Sequence, residues 1–301
     1  MRLFCKGGCV ELFQIQTADG TLLAASRFMP QTALKAVVLL PSAMGVPQSF
    51  YTPFAEFLAE NGIAVVCFDY RGMGASIPAK FRHSLRGFDT SVTQWAEQDY
   101  NAALLATKAW QSEVPLIVVG HSLGGQLLGM LPDANLIDAV ITIASGSGYW
   151  RENAPQLKRI VWLMWYFVVP LATRLCGYFP GKRLRMVGDL PKGVIYQWAR
   201  WCKHPAYFVD ENGAAMQTGH AAIRRPILSM SFTDDELMSL RNIESMHSFY
   251  SNAVIERRHI HPSEVDAKRI GHFGFFRTQF RNSLWLQALH WMTNPALKRS
   301  I

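Results

Sequence analysis

The clearest chemical pattern in the chain lies at Val118-Val119-Gly120-His121-Ser122-Leu123-Gly124-Gly125. A serine with glycines two residues away on either side suits a tight strand-to-helix turn. The flanks agree. Pro115 to Val119 is an apolar, strand-like run, and Ser122 to Leu131 reads as a helix. Gly120 and Gly124 leave room where a β-carbon would strike the turn or a neighbouring element, and Ser122 is expected in a strained backbone conformation. Its hydroxyl then stands clear of a sheet, at a helix N-terminus that favours negative charge. This is the setting of a serine nucleophile. A helix-capping serine in a glycine-rich turn would share the pentapeptide, but the flanks favour the nucleophile. His121 is adjacent to Ser122, so its side chain should point elsewhere, and it is read as structural.

A serine hydroxyl is a weak nucleophile until a base takes its proton. After such a turn the acid and then the base are expected further along the chain. His259, His261, His272 and His290 lie in the right region. The first two belong to the polar end of a strand-like segment, and His290 falls inside the last helical pattern. His272 sits in Arg269-Ile270-Gly271-His272-Phe273-Gly274-Phe275, where glycines on both sides permit an unusual backbone. His272 is therefore the expected base; the alternative is a loop histidine that caps a helix. The acid should come after the strand-like Pro226 to Ser231, within Phe232-Thr233-Asp234-Asp235-Glu236. Its task is to fix the imidazole tautomer and stabilise the imidazolium. Asp234 and Asp235 compete for that role, and adjacent side chains should point in different directions.

Acyl chemistry at a serine also needs N–H donors aimed at the developing oxyanion. One is expected from Leu123, directly after the nucleophile. The other should come from the loop Pro41-Ser42-Ala43-Met44-Gly45-Val46, with Ala43 the first choice and Met44 the second.

The elements that must hold these groups alternate along the chain. Val10 to Gln16 and Thr21 to Arg27 read as strands joined by a turn at Thr17-Ala18-Asp19-Gly20. Lys35 to Leu40 and Ile63 to Phe68 are continuous apolar runs, which suit buried parallel strands. Between them a helical pattern carries Phe50, Phe54, Phe57 and Leu58 on one face and stops at Gly62. A long helix is expected over Ser91 to Trp110 and a strand over Ile137 to Ala144. The alternation resumes with strands at Pro226 to Ser231 and Ala253 to Ile260, and helices at Glu236 to Tyr250 and Phe275 to Met292. This pattern predicts an α/β fold with a mostly parallel central sheet and helices on both faces.

From Trp150 to about Gly213 the alternation breaks into an aromatic, basic, helix-like stretch. It is expected to be an inserted helical cap over the carboxyl ends of the strands, where open α/β sheets keep their ligands. The predicted division is a core of residues 1–148 and 214–301 and a cap of residues 149–213. The charge agrees: the formal net charge is +8, and Arg151 to Lys203 holds ten Lys or Arg against two acids, so the rest is neutral overall. Trp162, Trp165 and Trp198 are the expected walls of an apolar pocket, unless they only pack the cap's own core. The basic face would be merely solvated, or would make a peripheral contact with an anionic membrane or meet an acidic acyl donor such as a coenzyme A ester. No nucleic-acid-binding signature accompanies the charge, so nucleic acid is not an expected partner.

The five cysteines are scattered and odd in number, which argues for a reducing, cytoplasmic compartment rather than a disulfide framework. Cys5 and Cys9 have no second pair nearby, so no metal is expected. The longest uncharged apolar run, Ile160 to Thr173, is short of the roughly 20 residues of a transmembrane helix, and Pro170 interrupts it. No membrane-spanning segment and no cofactor are expected.

Several pieces in order carry a wider resemblance: Leu40-Pro41-Ser42-Ala43-Met44-Gly45-Val46, Asp69-Tyr70-Arg71-Gly72-Met73-Gly74-Ala75-Ser76, Gly120-His121-Ser122-Leu123-Gly124-Gly125, Ser145-Gly146-Ser147-Gly148-Tyr149-Trp150, Phe232-Thr233-Asp234-Asp235 and Gly271-His272-Phe273-Gly274-Phe275. The chain resembles bacterial α/β-hydrolases of the serine aminopeptidase-like and monoacylglycerol-lipase-like group, and more narrowly a set known mainly as predicted hydrolases. In that fold the acid often lies in Gly-x-x-Asp. Phe232 replaces the glycine here, and the same count reaches Asp235, with Asp234 the alternative. The resemblance implies a Ser122-His272-Asp235 triad cleaving a hydrophobic acyl ester. Acyl transfer or amide hydrolysis by the same groups is the second reading, and a non-catalytic binding protein the third.

Overall fold

The apolar runs of the sequence become the centre of one nine-stranded sheet. Its strands are β1 (Arg2–Cys5), β2 (Gly8–Gln16), β3 (Leu22–Met29), β4 (Ala36–Pro41), β5 (Ile63–Phe68), β6 (Leu116–His121), β7 (Ala139–Ile143), β8 (Ile227–Phe232) and β9 (Ile255–Ile260). They lie in the order β1-β2-β3-β5-β4-β6-β7-β8-β9. From β5 to β9 every neighbouring pair is parallel; β1, β2 and β3 add an antiparallel edge. The computed structural model describes the backbone of residues 2–5, 8 and 9 and the whole of residues 10–294. The side chains of Cys5 and Cys9 lie outside the described residues.

Every residue of β4, β5, β6, β7 and β8 is buried, which is why their sequences run apolar without alternation. Alternate residues still serve opposite layers. Val37 and Leu39 join the layer of Trp95, Tyr100 and Leu123, while Val38 and Leu40 join Phe54, Phe57 and Trp285. β9, at the edge, exposes Glu256 and Arg257, a charged rim that discourages further strand pairing.

Between β7 and β8 the chain leaves the sheet. Pro155–Cys176 forms one 22-residue helix, with a π-turn at Met164–Val168. A bridge between Phe179 and Leu190 leads to a second helix, Lys192–Lys203. This layer covers the carboxyl ends of the strands. Gly188 abuts Gly45 after β4, Pro191 packs on Gly72 after β5, and Tyr207 packs on Gly148 after β7. The Gly45–Gly188 approach is backbone on backbone: a β-carbon on Gly45 would lie 2.7 Å from the Gly188 nitrogen, and one on Gly188 would lie 2.6 Å from the Gly45 oxygen. Only two glycines permit it.

Pro170, expected to interrupt the apolar run, lies within the continuous helix Pro155–Cys176. The 22-residue helix is longer than the uncharged run that suggested it, and by length and composition alone it could cross a bilayer. It does not stand free to do so. Val161, Trp165, Val169 and Thr173 are buried beneath it at four-residue spacing. Ala154 at its start donates to the Leu237 carbonyl, and the Leu175 carbonyl near its end accepts from Arg86 Nη2 at 2.7 Å. Both ends are thus tied to one sheet domain.

Three histidines are buried without a charge partner. Burial holds His121 well below its ordinary pKa, and lowers His220 and His247 to about 4. His247 Nδ1 donates to the Ile243 carbonyl and its Nε2 faces the Thr142 hydroxyl, which fits the neutral ring. The unfolded chain binds these protons from about pH 6.5 downward, and the folded chain does not until about pH 4. Stability should therefore be level above about pH 7 and fall from about pH 6.5 to 4, by on the order of 3 kcal/mol each for His220 and His247. Urea midpoints measured across that range check this; a flat profile down to about pH 4.5 would contradict it.

Candidate active site

Ser122 comes directly after β6 and opens the helical turn Leu123–Gln126. Its backbone is left-handed at φ 49°, a strained position for a residue with a β-carbon. The turn is held from below. Ser122 N donates to the Ile143 carbonyl at 2.9 Å, and the Ser145 hydroxyl donates to the Ser122 carbonyl at 2.9 Å. The glycines are required by contact. A β-carbon on Gly120 would lie 2.5 Å from Gly125 Cα, and one on Gly124 would lie 2.3 Å from the Pro41 carbonyl oxygen. Gly124→Ala must push β4 from the turn, at a cost of about 1–3 kcal/mol or more. We expect a Tm lowered by several degrees and no labelling by a serine-directed phosphonate. Wild-type values of both would show that the turn has slack.

His272 lies on a short helical turn, Gly271–Gly274, rather than in an open loop. Three consecutive acidic residues after β8 grip this segment. Asp234 accepts from the backbone N–H of Ile270 at 2.8 Å and of Gly271 at 3.0 Å. Glu236 accepts from the His272 N–H at 3.2 Å. Asp235 reaches the ring, with Oδ2 accepting from His272 Nδ1 at 2.8 Å. The other oxygen of Asp235 accepts from the N–H groups of Leu237 and Met238, at 2.8 and 2.9 Å, so the carboxylate cannot turn. The two aspartates point in different directions: Asp235 meets the imidazole, and Asp234 meets the backbone in front of it. With the proton on Nδ1, the neutral ring leaves Nε2 as its basic atom.

Ser122, Asp235 and His272 are all buried. Ser122 Oγ makes no hydrogen bond to another described residue. The link between the two halves of the site runs through its neighbour. His121 Nε2 lies 3.1 Å from the His272 carbonyl oxygen, and His121 Nδ1 lies 2.9 Å from the Tyr51 hydroxyl. Because a carbonyl only accepts, Nε2 of the neutral His121 carries the proton and Nδ1 accepts from Tyr51. Tyr51 in turn accepts from the Ala43 N–H at 2.9 Å. Burial keeps the Tyr51 hydroxyl protonated, so the donor order is fixed from Ala43 through Tyr51 and His121 to the His272 carbonyl. The structural role expected for His121 is this one.

The same chain of bonds occupies the N–H that was the first choice for an oxyanion donor. The Ala43 N–H is already committed to the buried Tyr51 hydroxyl. Among the described residues, the N–H groups of Met44 and Leu123 have no acceptor. Tyr51 carried no signal in the sequence beyond a place in a helical pattern.

The three tryptophans separate. Trp165 is buried and meets Trp198 edge to face, with ring centroids 5.1 Å apart. They belong to the apolar cluster that also contains Met44 and Leu123. Trp162 does not. It is exposed, donates to the Arg159 carbonyl and packs on the exposed Phe167, so its assignment to a pocket wall is withdrawn. It lies at the flank of its helix, outside the buried stripe. Among the described residues no cluster of His, Cys, Asp and Glu could hold a metal ion.

The strained serine follows β6, and the carboxylate-bound histidine follows β9, three strands further along the sheet. The sequence pattern of the alpha/beta hydrolase family matches residues 37–278. The chain belongs to that family. No curated protein matches it. Among solved structures, the chain is similar to a highly thermostable carboxyl esterase from Bacillus coagulans, at a TM-score of 0.65 and 11% identity, over 94% of this chain and 97% of that one. An esterase from Exiguobacterium antarcticum gives a TM-score of 0.56 at 14% identity, over 93% and 99% of the two chains. Dipeptidyl peptidase 4 of Porphyromonas gingivalis gives 0.57 at 16% identity, over 95% of this chain and 35% of that one. At such identities the likeness is one of fold, and the fold hosts more than one reaction.

Proposed function

We propose that the protein is a serine esterase acting on a hydrophobic acyl ester. The observation that carries this reading is the Asp235–His272 pair, its turn gripped by Asp234 and Glu236 and tied to His121, the residue before a strained Ser122. Ser122 Oγ attacks the ester carbonyl while His272 Nε2 takes its proton. The N–H groups of Leu123 and Met44 hold the oxyanion. The tetrahedral intermediate expels the alcohol, which takes the proton back from His272. Water, activated by the same imidazole, then releases the acid from the acyl-enzyme. Trp165 and Trp198, packed together in the apolar cluster that includes Met44 and Leu123, would favour an acyl chain over a charged one beside them.

The test is labelling and turnover together. A fluorophosphonate should modify wild-type protein at Ser122 and leave Ser122→Ala unmodified. p-Nitrophenyl esters of graded acyl length should be hydrolysed in proportion to labelling, with a preference for medium over acetyl chains. Labelling without ester turnover, but with fast acyl transfer to an added alcohol or amine, would replace esterase by acyltransferase. No labelling at all would remove the serine mechanism.

A further inference from the structure

The outward face of the 22-residue cap helix is apolar. Ile160, Leu163, Phe167, Leu171 and Leu175 recur at three- and four-residue spacing and are 61, 43, 59, 63 and 67% exposed. Trp162 and Tyr166 flank them, 38 and 50% exposed. A globular protein rarely leaves such a contiguous apolar strip in water. The opposite stripe is already used for packing, so this one is surplus to the fold.

The charges around it are mostly positive. Lys158 and Arg159 are exposed near the start of the helix and Arg174 near its end. The loop beyond the helix reads Lys182-Arg183-Leu184-Arg185-Met186, all exposed, so cations alternate with two more apolar side chains. An apolar strip with flanking aromatics and a basic rim is what a helix lying in the plane of a bilayer requires. The apolar side chains enter the acyl boundary, the aromatic rings sit at headgroup level and the cations meet anionic headgroups. A second copy of this chain would bring one basic rim against another, which the charge disfavours. The buried stripe of the helix and the hydrogen bonds at its two ends favour an in-plane contact over a span.

We propose that the outer face of Pro155–Cys176 seats the protein on an anionic lipid bilayer as a peripheral, in-plane contact. The proposal does not depend on the reaction at Ser122, and its test separates the two. Ser122→Ala protein is floated with phosphatidylcholine vesicles and with vesicles containing phosphatidylglycerol as well. Strong flotation is expected only with the anionic vesicles, and it should weaken as salt is raised. The triple variant Ile160→Ser, Phe167→Ser, Leu171→Ser should bind those vesicles at least about tenfold more weakly. Arg174→Gln combined with Lys182→Gln should weaken binding by about fivefold per charge and leave the fold intact. All five changes are at exposed positions, and circular dichroism and Tm confirm folding in each. Equal flotation with both vesicle types, or a triple variant that floats like its parent, overturns the proposal. So does a parent that floats with neither and sediments as a dimer which the triple variant converts to monomer.

Discussion

Ser122→Ala should lower the rate of ester hydrolysis by about 10⁴- to 10⁶-fold, leaving only what binding and the oxyanion donors supply. The loss should fall on kcat, because the hydroxyl forms its bond to substrate only during reaction. The fold should hardly notice. Alanine at φ 49° carries the same backbone strain as serine, and Ser122 Oγ has no hydrogen bond to lose among the described residues. A Tm close to the parent's, together with a rate loss of this size, is the expected pair of results. A variant retaining more than about a tenth of the activity would move the nucleophile elsewhere.

Asp235→Asn should cost about 10⁴-fold in kcat, and Asp234→Asn far less. The difference lies in which atoms each carboxylate meets. The Leu237 and Met238 N–H groups would hold the oxygen of an asparagine at position 235, which turns its NH2 toward His272 Nδ1. That ring nitrogen must then accept, so the proton moves to Nε2 and the imidazole can no longer take one from Ser122. An asparagine at position 234 still accepts from one of the two N–H groups of Ile270 and Gly271, and weakens only the grip on the turn. The expected loss is about tenfold, from one charge-assisted hydrogen bond. Steady-state kinetics of the two variants on one ester decide the matter. The reverse ranking would assign the acid role to Asp234.

The features legible in the residues alone were those that depend on local spacing. Gly120, Ser122 and Gly124 define the turn within five residues, and Ile63–Phe68 is a strand by its apolar run alone. Elements went astray where tertiary contacts override a period. The helix expected over Glu236 to Tyr250 begins only at Leu240, because Asp235 takes the N–H groups of Leu237 and Met238, and Ser239 caps the helix from there. The helix expected from Phe275 begins at Leu284, after a turn that serves His272. Ala43 was favoured over Met44 because nothing local shows that Tyr51, eight residues on, returns its hydroxyl to that amide. Trp162 was misplaced for a different reason. Its helix is apolar on both sides, so periodicity locates the stripes but not which of them faces inward.

The paired glycines at 45 and 188 give the cap a mechanical consequence. The cap backbone rests directly on the loop that presents the Met44 amide, with no side chain between them to absorb a shift. Under the mechanism proposed above, lifting the cap would slacken the very loop that carries the Met44 amide. On that reading, admission of substrate and readiness for reaction are geared together at that one point.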